Sequence, residues 1–190
     1  GKIADVVFKS GPIEALKKAL KTTEFLGYQS TEATAEIRGI VAQDHLLDEL
    51  TEVGHETPVQ IVLDHSPFYA EAGGQVGDTG TLVGDGFEFQ VTDTQKDGDL
   101  IVHIGHLTRG SLKAGAKVTA RVDAARRLGI RRAHSATHIL HHALQKHLGK
   151  DAHQMGSKVE EDWLRFDFGS PQPVSAETLG AIERDANERV

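Results

Sequence analysis

The chain has 190 residues, of which 38% are hydrophobic and 26% are charged, and its formal net charge is −7. This is the composition of an ordinary globular protein, and the negative charge argues against broad, non-specific binding of nucleic acid. It contains no cysteine, so neither disulfides nor thiolate metal ligands can come from these residues. No apolar stretch approaches the roughly 20 residues of a membrane span, and no signal-peptide core is visible, so we expect a cytoplasmic protein.

A short helix is predicted close to the N-terminus. Ser10–Pro12 (SGP) is typical of a helix start, because proline fits the first turn and the acidic Glu14 is favoured at the positive end of the helix dipole. Since lysines follow toward the other end, the helix is expected over about residues 12–21. We assign residues 1–30 to a linker helix that leads out of an upstream region.

Residues 31–122 have the pattern of a glycine-rich β-structure. Phe87, Phe89 and Val91 alternate with polar residues, which is the period of a half-buried strand. A loop is expected at 64–80, which contains a proline and four glycines. The other predicted strands are 35–42, 55–63, 81–83, 100–104 and 117–121. Six or so short strands joined by glycine turns predict a small barrel or sandwich, and we assign the region as a small β-barrel.

At Asp123 the periodicity changes from that of strands to that of a helix, for which Gly149 is a suitable end. Apolar and histidine side chains should lie on opposite faces of this helix. The apolar face carries Ala133, Ala136, Leu140, Ala143 and Leu144, and the opposite face carries His134, His138, His141 and His142.

A β-hairpin and a last helix are predicted to follow. Met155–Val159 should pair with Trp163–Phe168, and Ser175 is a suitable N-cap for the final helix. That helix reaches Val190 without a stop signal, so we expect the natural chain to continue. Residues 123–190 are therefore interpreted as the N-terminal part of an α+β core, and the whole chain as an α+β protein.

His134 and His138 have the clearest chemical meaning. Four residues apart on a helix, their imidazoles share one face and can bind one transition metal, and zinc would need two further ligands. In zinc peptidases a glutamate base follows the first histidine, but here that residue is Ser135, so a peptidase site is disfavoured. The alternative without function is a solvated pair on a polar face. A preceding basic cluster is interpreted as a solvated helix face with acidic neighbours and consists of Arg126, Arg127, Arg131 and Arg132.

Three ordered motifs connect the histidine pair with a known family. They are Pro67–Gly80 (PFYAEAGGQVGDTG), His134–Leu144 (HSATHILHHAL), and His153–Ser157 (HQMGS) leading into Leu164–Phe168 (LRFDF). In this order and spacing they resemble the editing region of alanyl-tRNA synthetase. Free-standing alanyl-tRNA editing proteins share this region, and the editing domain of threonyl-tRNA synthetase is a more distant relative. Upstream, Lys21–Tyr28 (KTTEFLGY) resembles the junction that leads into the region.

The resemblance implies a glycine-rich β-barrel followed by an α+β hydrolytic core that deacylates tRNA(Ala) wrongly charged with serine or glycine. It implies that His134 and His138 are two ligands of a zinc ion. The residues implied in catalysis or selection are Gln154, which lines the pocket, Gly73 and Gly74 of the serine-selecting motif, and Asp78 within that motif. Selection of serine requires a hydrogen-bond partner for its hydroxyl, and glycines let backbone groups approach closely enough to supply one.

The resemblance also implies a longer parent enzyme, an ATP-dependent ligase with Mg²⁺ that charges tRNA(Ala) with alanine at sites outside this chain. The expected partners are tRNA(Ala) and the rest of that synthetase. The family takes its other two zinc ligands from a downstream Cys-x-x-x-His motif, which these residues do not contain. We therefore expect half a zinc site, with His141, His142 or water as substitute ligands, and weak or absent editing by these residues alone.

Two alternatives to this function are open at this point. The first is a barrel with an α/β unit that binds RNA or positions neighbouring domains without any catalysis. The second is a free-standing editing deacylase, which the upstream helix and junction disfavour.

Overall fold

The computed structural model describes residues 11–54 and 56–190, so Ser10 and His55, the predicted starts of a helix and a strand, lie outside the described residues. The chain is a mixed α+β protein, which confirms the predicted fold class. It divides into two compact units: the first takes the described residues up to Ala72 and Gly77–Ala124, and the second takes Gly73–Val76 and Ala125–Val190. None of the described helices is long and apolar enough to cross a membrane.

The predicted helices and hairpin are present with small shifts at their ends. The helices of the described residues are α1 Gly11–Leu20, α2 Ala124–Leu148 and α3 Ala176–Glu188. The strands are β1 Glu24–Phe25, β2 Glu32–Ala42, β3 His45–Leu47, β4 Glu49–Leu50, β5 Val59–Leu63, β6 His65–Ser66, β7 Gly80–Gly84, β8 Phe87–Asp97, β9 Leu100–Gly110, β10 Leu112–Lys113, β11 Lys117–Val122, β12 Gln154–Val159 and β13 Leu164–Phe168. The strands that the sequence analysis missed are the shortest ones: β1, β3, β4, β6 and β10.

Six strands of the first unit close into a barrel, as predicted. Their order is β11–β7–β8–β9–β5–β2, and β2 pairs with β11 to close the ring, while β3 is added beside β2. The closing pair is antiparallel, with Val118 opposite Ala35. β8 and β9 are each 11 residues long, which is longer than predicted, because their pairing continues through two bulges from Phe87 opposite Gly110 to Asp97 opposite Leu100.

The barrel encloses the main hydrophobic core. Its largest buried side chains include Ile37, Ile40, Ile61, Phe68, Phe89 and Leu107. β5 is buried along its whole length, because one side faces this core and Val62 on the other side packs with Ile13 and Leu16 of α1. Gly39 allows α1 to approach this closely, since a Cβ atom there would lie 2.4 Å from Leu16 Cδ1.

A histidine belongs to the barrel interior. His103 on β9 is fully buried, and its Nδ1 donates to Ile61 O at 2.9 Å while its Nε2 lies 2.7 Å from Ser66 Oγ. The Phe68 ring meets the imidazole edge to face, with 5.1 Å between ring centroids. Burial lowers the pKa of His103 to about 4. A serine beside a histidine can act as a nucleophile and base, but both side chains are inaccessible to solvent, so we assign this pair a structural role.

The second unit packs α2 and α3 with the β12–β13 hairpin. Its buried centre is formed by Ala143, Leu144 and Ile182, against which Phe166 and Phe168 pack. The two strands of the hairpin are antiparallel, and their register shifts between Gln154 and Gly156. This shift is a bulge close to the predicted site residue Gln154.

Asp185 of α3 connects the two helices of this unit. Its Oδ1 accepts from Arg189 Nε at 2.9 Å, and its Oδ2 lies 3.1 Å from both Lys146 Nζ and His147 Nε2. The hydrogen bonds from Arg189 and then from Lys146 hold the pKa of Asp185 well below its usual range. The carboxylate therefore links the C-terminal turn of α2 to α3.

Ser175 caps α3, as predicted, because its Oγ accepts from Thr178 N at 3.1 Å. We expect Ser175→Ala to lower the free energy of unfolding of this unit by about 1 kcal/mol, since a helix amide loses its partner. Urea denaturation followed by the fluorescence of Trp163 measures the change. Ser170→Ala is the matched control, because the Ser170 hydroxyl donates to Gln172 O in a loop. Equal losses in the two variants would contradict the prediction.

Candidate functional site

The structure brings His134 and His138 together on α2. Their ring centroids are 4.9 Å apart with an angle of 80° between the ring planes. The two Nε2 atoms are separated by 3.3 Å. His138 is exposed and His134 is partly exposed, so the pair is accessible from solvent.

The spacing of the two Nε2 atoms suits a shared metal ion. Zinc–nitrogen distances are about 2.0–2.1 Å and protein zinc sites are usually tetrahedral, so two nitrogen ligands of one ion lie about 3.3–3.4 Å apart. The same distance also suits a hydrogen bond between the two rings when only one of the Nε2 atoms carries a proton. The pair therefore fits two of the four positions around a zinc ion.

A third protein ligand does not join the pair in the part of the chain that the structure describes. Across residues 11–54 and 56–190, no group of three or more His, Cys, Asp or Glu side chains is placed to hold a metal ion. His141 keeps its Nε2 buried without a hydrogen-bond partner, and its ring packs against Phe166 at 5.3 Å. Neither His141 nor the exposed His142 thus completes a three-ligand cluster with the pair.

The glycine-rich segment Gly73–Val76 runs beside β12. Gly74 O accepts from Val159 N at 2.9 Å, and the next residue forms a parallel bridge with the same valine. Gly74 has a φ of +83°, and a Cβ atom there would lie 2.6 Å from Ser157 O, so the position requires glycine. Gly73 also has a positive φ but has open space around its Cα. The two predicted glycines therefore lie at the edge of the hairpin.

Gln154 is the first residue of β12 and is exposed. Its Nε2 donates to Ser157 Oγ at 2.8 Å. The contact between Gln154 and Ser157 could not be predicted from the sequence, because residues three apart on a regular strand point to opposite faces. The bulge between Gln154 and Gly156 changes this alternation. Gly156 is the one hint of such a bulge in the sequence, since glycine in a strand often marks one.

Asp78 lies in the first unit and is only 1% exposed. Its Oδ2 accepts from Tyr69 N at 2.8 Å, and its main-chain N donates to Tyr69 O at 2.9 Å. Its main-chain O accepts from Thr94 Oγ1 at 2.8 Å. These hydrogen bonds hold the glycine-rich loop in shape, and a catalytic role for Asp78 stays a prediction.

The arginines before the histidine pair have different environments. Arg127 is 4% exposed, so the interpretation of the cluster as a solvated helix face is wrong for this residue. Arg131 and Arg132 are exposed and line an open groove of about 490 Å³. The residues that line this groove include no acidic side chain. Arg131 precedes His134 by three residues and therefore lies nearly one helical turn from it.

Comparison with known proteins identifies the family. The family model described as tRNA synthetases class II (A) matches residues 6–126. The chain belongs to this family. Among its relatives, the alanine–tRNA ligase of Rhodopirellula baltica is 51% identical over an alignment of 188 residues, which covers 95% of this chain and 20% of the ligase.

Two further relatives are also alanine–tRNA ligases. That of Gluconobacter oxydans is 47% identical over 171 residues, which cover 88% of this chain and 19% of the ligase. That of Mesorhizobium japonicum is 43% identical over 177 residues, which cover 93% of this chain and 20% of the ligase. The chain thus spans about one fifth of the length of these relatives, and the predicted resemblance to alanyl-tRNA synthetase is confirmed.

Proposed function

We propose that this chain is a segment of a cytoplasmic alanine–tRNA ligase, and that its second unit belongs to an editing site that hydrolyses tRNA(Ala) carrying serine or glycine. The observation that carries the proposal is the pair of accessible Nε2 atoms 3.3 Å apart on α2. Similarity to much longer ligases favours this proposal over a free-standing deacylase. The metal-compatible pair favours it over a module that only binds RNA.

In this proposal His134 and His138 hold one side of a zinc ion. A bound zinc ion supplies positive charge that polarises an ester carbonyl or lowers the pKa of a water molecule. The contribution of α2 is to hold the two Nε2 lone pairs at a fixed separation. The net reaction breaks the ester bond between the amino acid and the terminal ribose with one water, and it yields the free amino acid and a tRNA with both ribose hydroxyls restored.

The glycine-rich segment Gly73–Val76 and Gln154 are proposed to select the amino acid. A site that hydrogen-bonds the serine hydroxyl disfavours alanine, because the methyl group leaves a polar partner unsatisfied. Gln154 offers an exposed amide for such a contact, and a segment with glycines allows a ligand to approach the main chain closely. The correct product, alanine on tRNA(Ala), would thereby be spared from hydrolysis.

The 190 residues supply only half of the proposed zinc site, because they contain no cysteine and the described part holds no three-ligand cluster. We propose that the remaining ligands come from a Cys-x-x-x-His motif elsewhere in the ligase. The sites for ATP and Mg²⁺ in the ligation reaction would also lie elsewhere. By itself, the chain should bind zinc weakly and deacylate poorly.

Deacylation assays on the complete ligase and on the 190-residue chain test the proposal. The complete ligase should hydrolyse Ser-tRNA(Ala) and Gly-tRNA(Ala) and spare Ala-tRNA(Ala), whereas the chain alone should show little turnover. A complete ligase without deacylation would overturn the editing function. Full turnover by the chain alone would overturn the proposal that the 190 residues hold only half of the zinc site. Stoichiometric zinc that stays bound to the chain during dialysis would overturn it as well.

Arg131 is expected to contact a phosphate of the tRNA, because it is exposed about one helical turn before His134 and shares its groove with the basic side chains of Arg132 and Arg189. In the ligase, Arg131→Ala should weaken tRNA(Ala) binding by about tenfold at low salt and reduce the slope of log Kd against log salt concentration by about 1. The exposed Arg109 of β9 offers a matched control, and Arg109→Ala should leave the affinity unchanged. An unaltered salt slope for Arg131→Ala would count against this contact.

A further inference from the structure

Ser157 occupies the point where the glycine-rich segment meets strand β12. A Cβ atom at Gly74 would lie 2.6 Å from Ser157 O and 3.0 Å from Ser157 Oγ. On the main chain, Val159 N donates to Gly74 O at 2.9 Å. The serine is therefore closely packed by the main chain of the segment, and its hydroxyl lies at a defined position.

The hydroxyl of Ser157 is hydrogen-bonded to the side-chain amide of Gln154. Gln154 Nε2 donates to Ser157 Oγ at 2.8 Å, across the bulge that brings the two side chains to the same side of the strand. Because the NH₂ group of the amide is bonded to Ser157, the Oε1 atom points away from Ser157. No described residue donates a hydrogen bond to Gln154 Oε1, and the Gln154 side chain is exposed. An amide oxygen is an acceptor only, so the group that it binds must be a donor.

We propose that Ser157 is a positioning residue, which holds Nε2 of Gln154 so that Oε1 accepts a hydrogen bond from the bound aminoacyl group. This inference rests on the proposed function. Two donors of an aminoacyl ester suit such an acceptor, namely the α-ammonium group, which seryl and glycyl esters share, and the hydroxyl, which only the seryl ester has. Without the hydroxyl of Ser157, the Gln154 side chain would sample several rotamers. Its Oε1 would then face the bound aminoacyl group only part of the time.

Binding of non-hydrolysable analogues to the ligase tests this role. The probes are 3′-amino-3′-deoxyadenosine acylated with serine or with glycine, in which an amide replaces the ester. Ser157→Ala should weaken binding of the seryl analogue by about threefold to tenfold, which is the range for one neutral hydrogen bond. Ser157→Thr retains the hydroxyl and should stay within about twofold of the wild type. If Ser157→Ala also weakens binding of the glycyl analogue, the donor to Oε1 is the α-ammonium group. If binding of the glycyl analogue is unaffected, the donor is the hydroxyl of the seryl group.

A double-variant comparison separates positioning from a general structural effect. If Ser157 acts through Gln154, then Gln154→Ala should cause the same loss, and the double variant with Ser157→Ala should lose no more than either single variant. Additive losses, or no loss for Ser157→Ala, would overturn the positioning role. A ligase that binds neither analogue would instead overturn the proposed function.

The contact itself can be observed without a ligand in the 190-residue chain. Ser157→Ala should shift the side-chain amide ¹⁵N–¹H signals of Gln154, while Ser170→Ala should leave them in place. The signals of the exposed Gln145 on α2 serve as the internal reference. Unmoved Gln154 signals in Ser157→Ala would show that the hydroxyl does not hold the amide and would overturn the proposal regardless of the binding results.

Discussion

Replacement of both His134 and His138 with alanine in the complete ligase should abolish deacylation of Ser-tRNA(Ala) without weakening the binding of tRNA(Ala). Their two Nε2 atoms lie 3.3 Å apart. They are the zinc ligands that we propose from the described residues. Loss of even the hydrogen-bonding partners of metal ligands typically costs tenfold to a hundredfold in metal affinity or activity. Loss of two direct ligands should therefore reduce the deacylation rate by about a hundredfold or more.

A single variant on the same helix provides the control. His142→Ala removes an exposed imidazole from α2. It should leave both deacylation and zinc content of the complete ligase near those of the wild type, because the proposed site takes its remaining two ligands from the Cys-x-x-x-His motif elsewhere in the ligase and does not need His142 as a substitute. A chelator should inactivate the wild type, and added zinc should restore it. Zinc should not restore the variant that lacks the pair, since its donor nitrogens are gone.

Two outcomes would separate editing from other functions. Unchanged deacylation in the double variant would show that the pair is only a solvated or mutually hydrogen-bonded feature of the helix. A parallel loss of tRNA binding and deacylation would favour the module that binds RNA. The deacylation rate and the tRNA affinity must therefore be measured on the same preparation.

The main elements were predictable because they depend on local periodicity. The alternation of Phe87, Phe89 and Val91 with polar residues identified β8, and the spacing of His134 and His138 needed only the geometry of one helical turn. Closure of the barrel depends instead on pairing between distant segments, such as β2 with β11. The strand pattern alone fits a barrel or a sandwich for this reason, and the pairing of β2 with β11 confirms the barrel that we assigned.

The parts of the site that escaped prediction are those that depend on irregular backbone or on burial. The contact between Ser157 and Gln154 requires a bulge, which reverses the expected alternation of the strand. The buried Arg127 could not be distinguished from the exposed Arg131 and Arg132, because the charge pattern does not indicate which side of a helix is buried. Asp78 lay in a motif associated with selection, yet its carboxylate bonds to the main chain of Tyr69.

Lowering the pH from 6.5 to 4 should destabilise the barrel by about 3 kcal/mol through His103. Burial lowers the pKa of this imidazole from 6.5 to about 4 in the folded protein. Between these two values the unfolded chain binds a proton that the folded chain does not, so unfolding becomes more favourable as the pH falls. The contribution is complete above pH 6.5 and is lost as the pH approaches 4, at about 1.4 kcal/mol per pH unit.

The pH window distinguishes His103 from Asp185, whose pKa is also strongly lowered. The pKa of Asp185 is lowered, so the stability that it contributes is lost only as the pH falls below the ordinary aspartate value of 3.8. Direct NMR titration of the His103 ring should give a pKa near 4. Urea unfolding curves at several pH values, followed by far-ultraviolet circular dichroism, measure the loss of stability.

The variant that tests this account is His103→Gln, since an amide can still donate to Ile61 O and bond to Ser66 Oγ but does not titrate. It should be less stable than the wild type at pH 7, because an amide fills the space beside Phe68 less well, and its stability should fall much less between pH 6.5 and 4. His45→Gln, at an exposed position on β3, should retain the pH dependence of the wild type. A His103 ring that titrates near 6.5, or a His103→Gln variant with an unchanged slope, would show that the barrel interior does not exclude the charged imidazole.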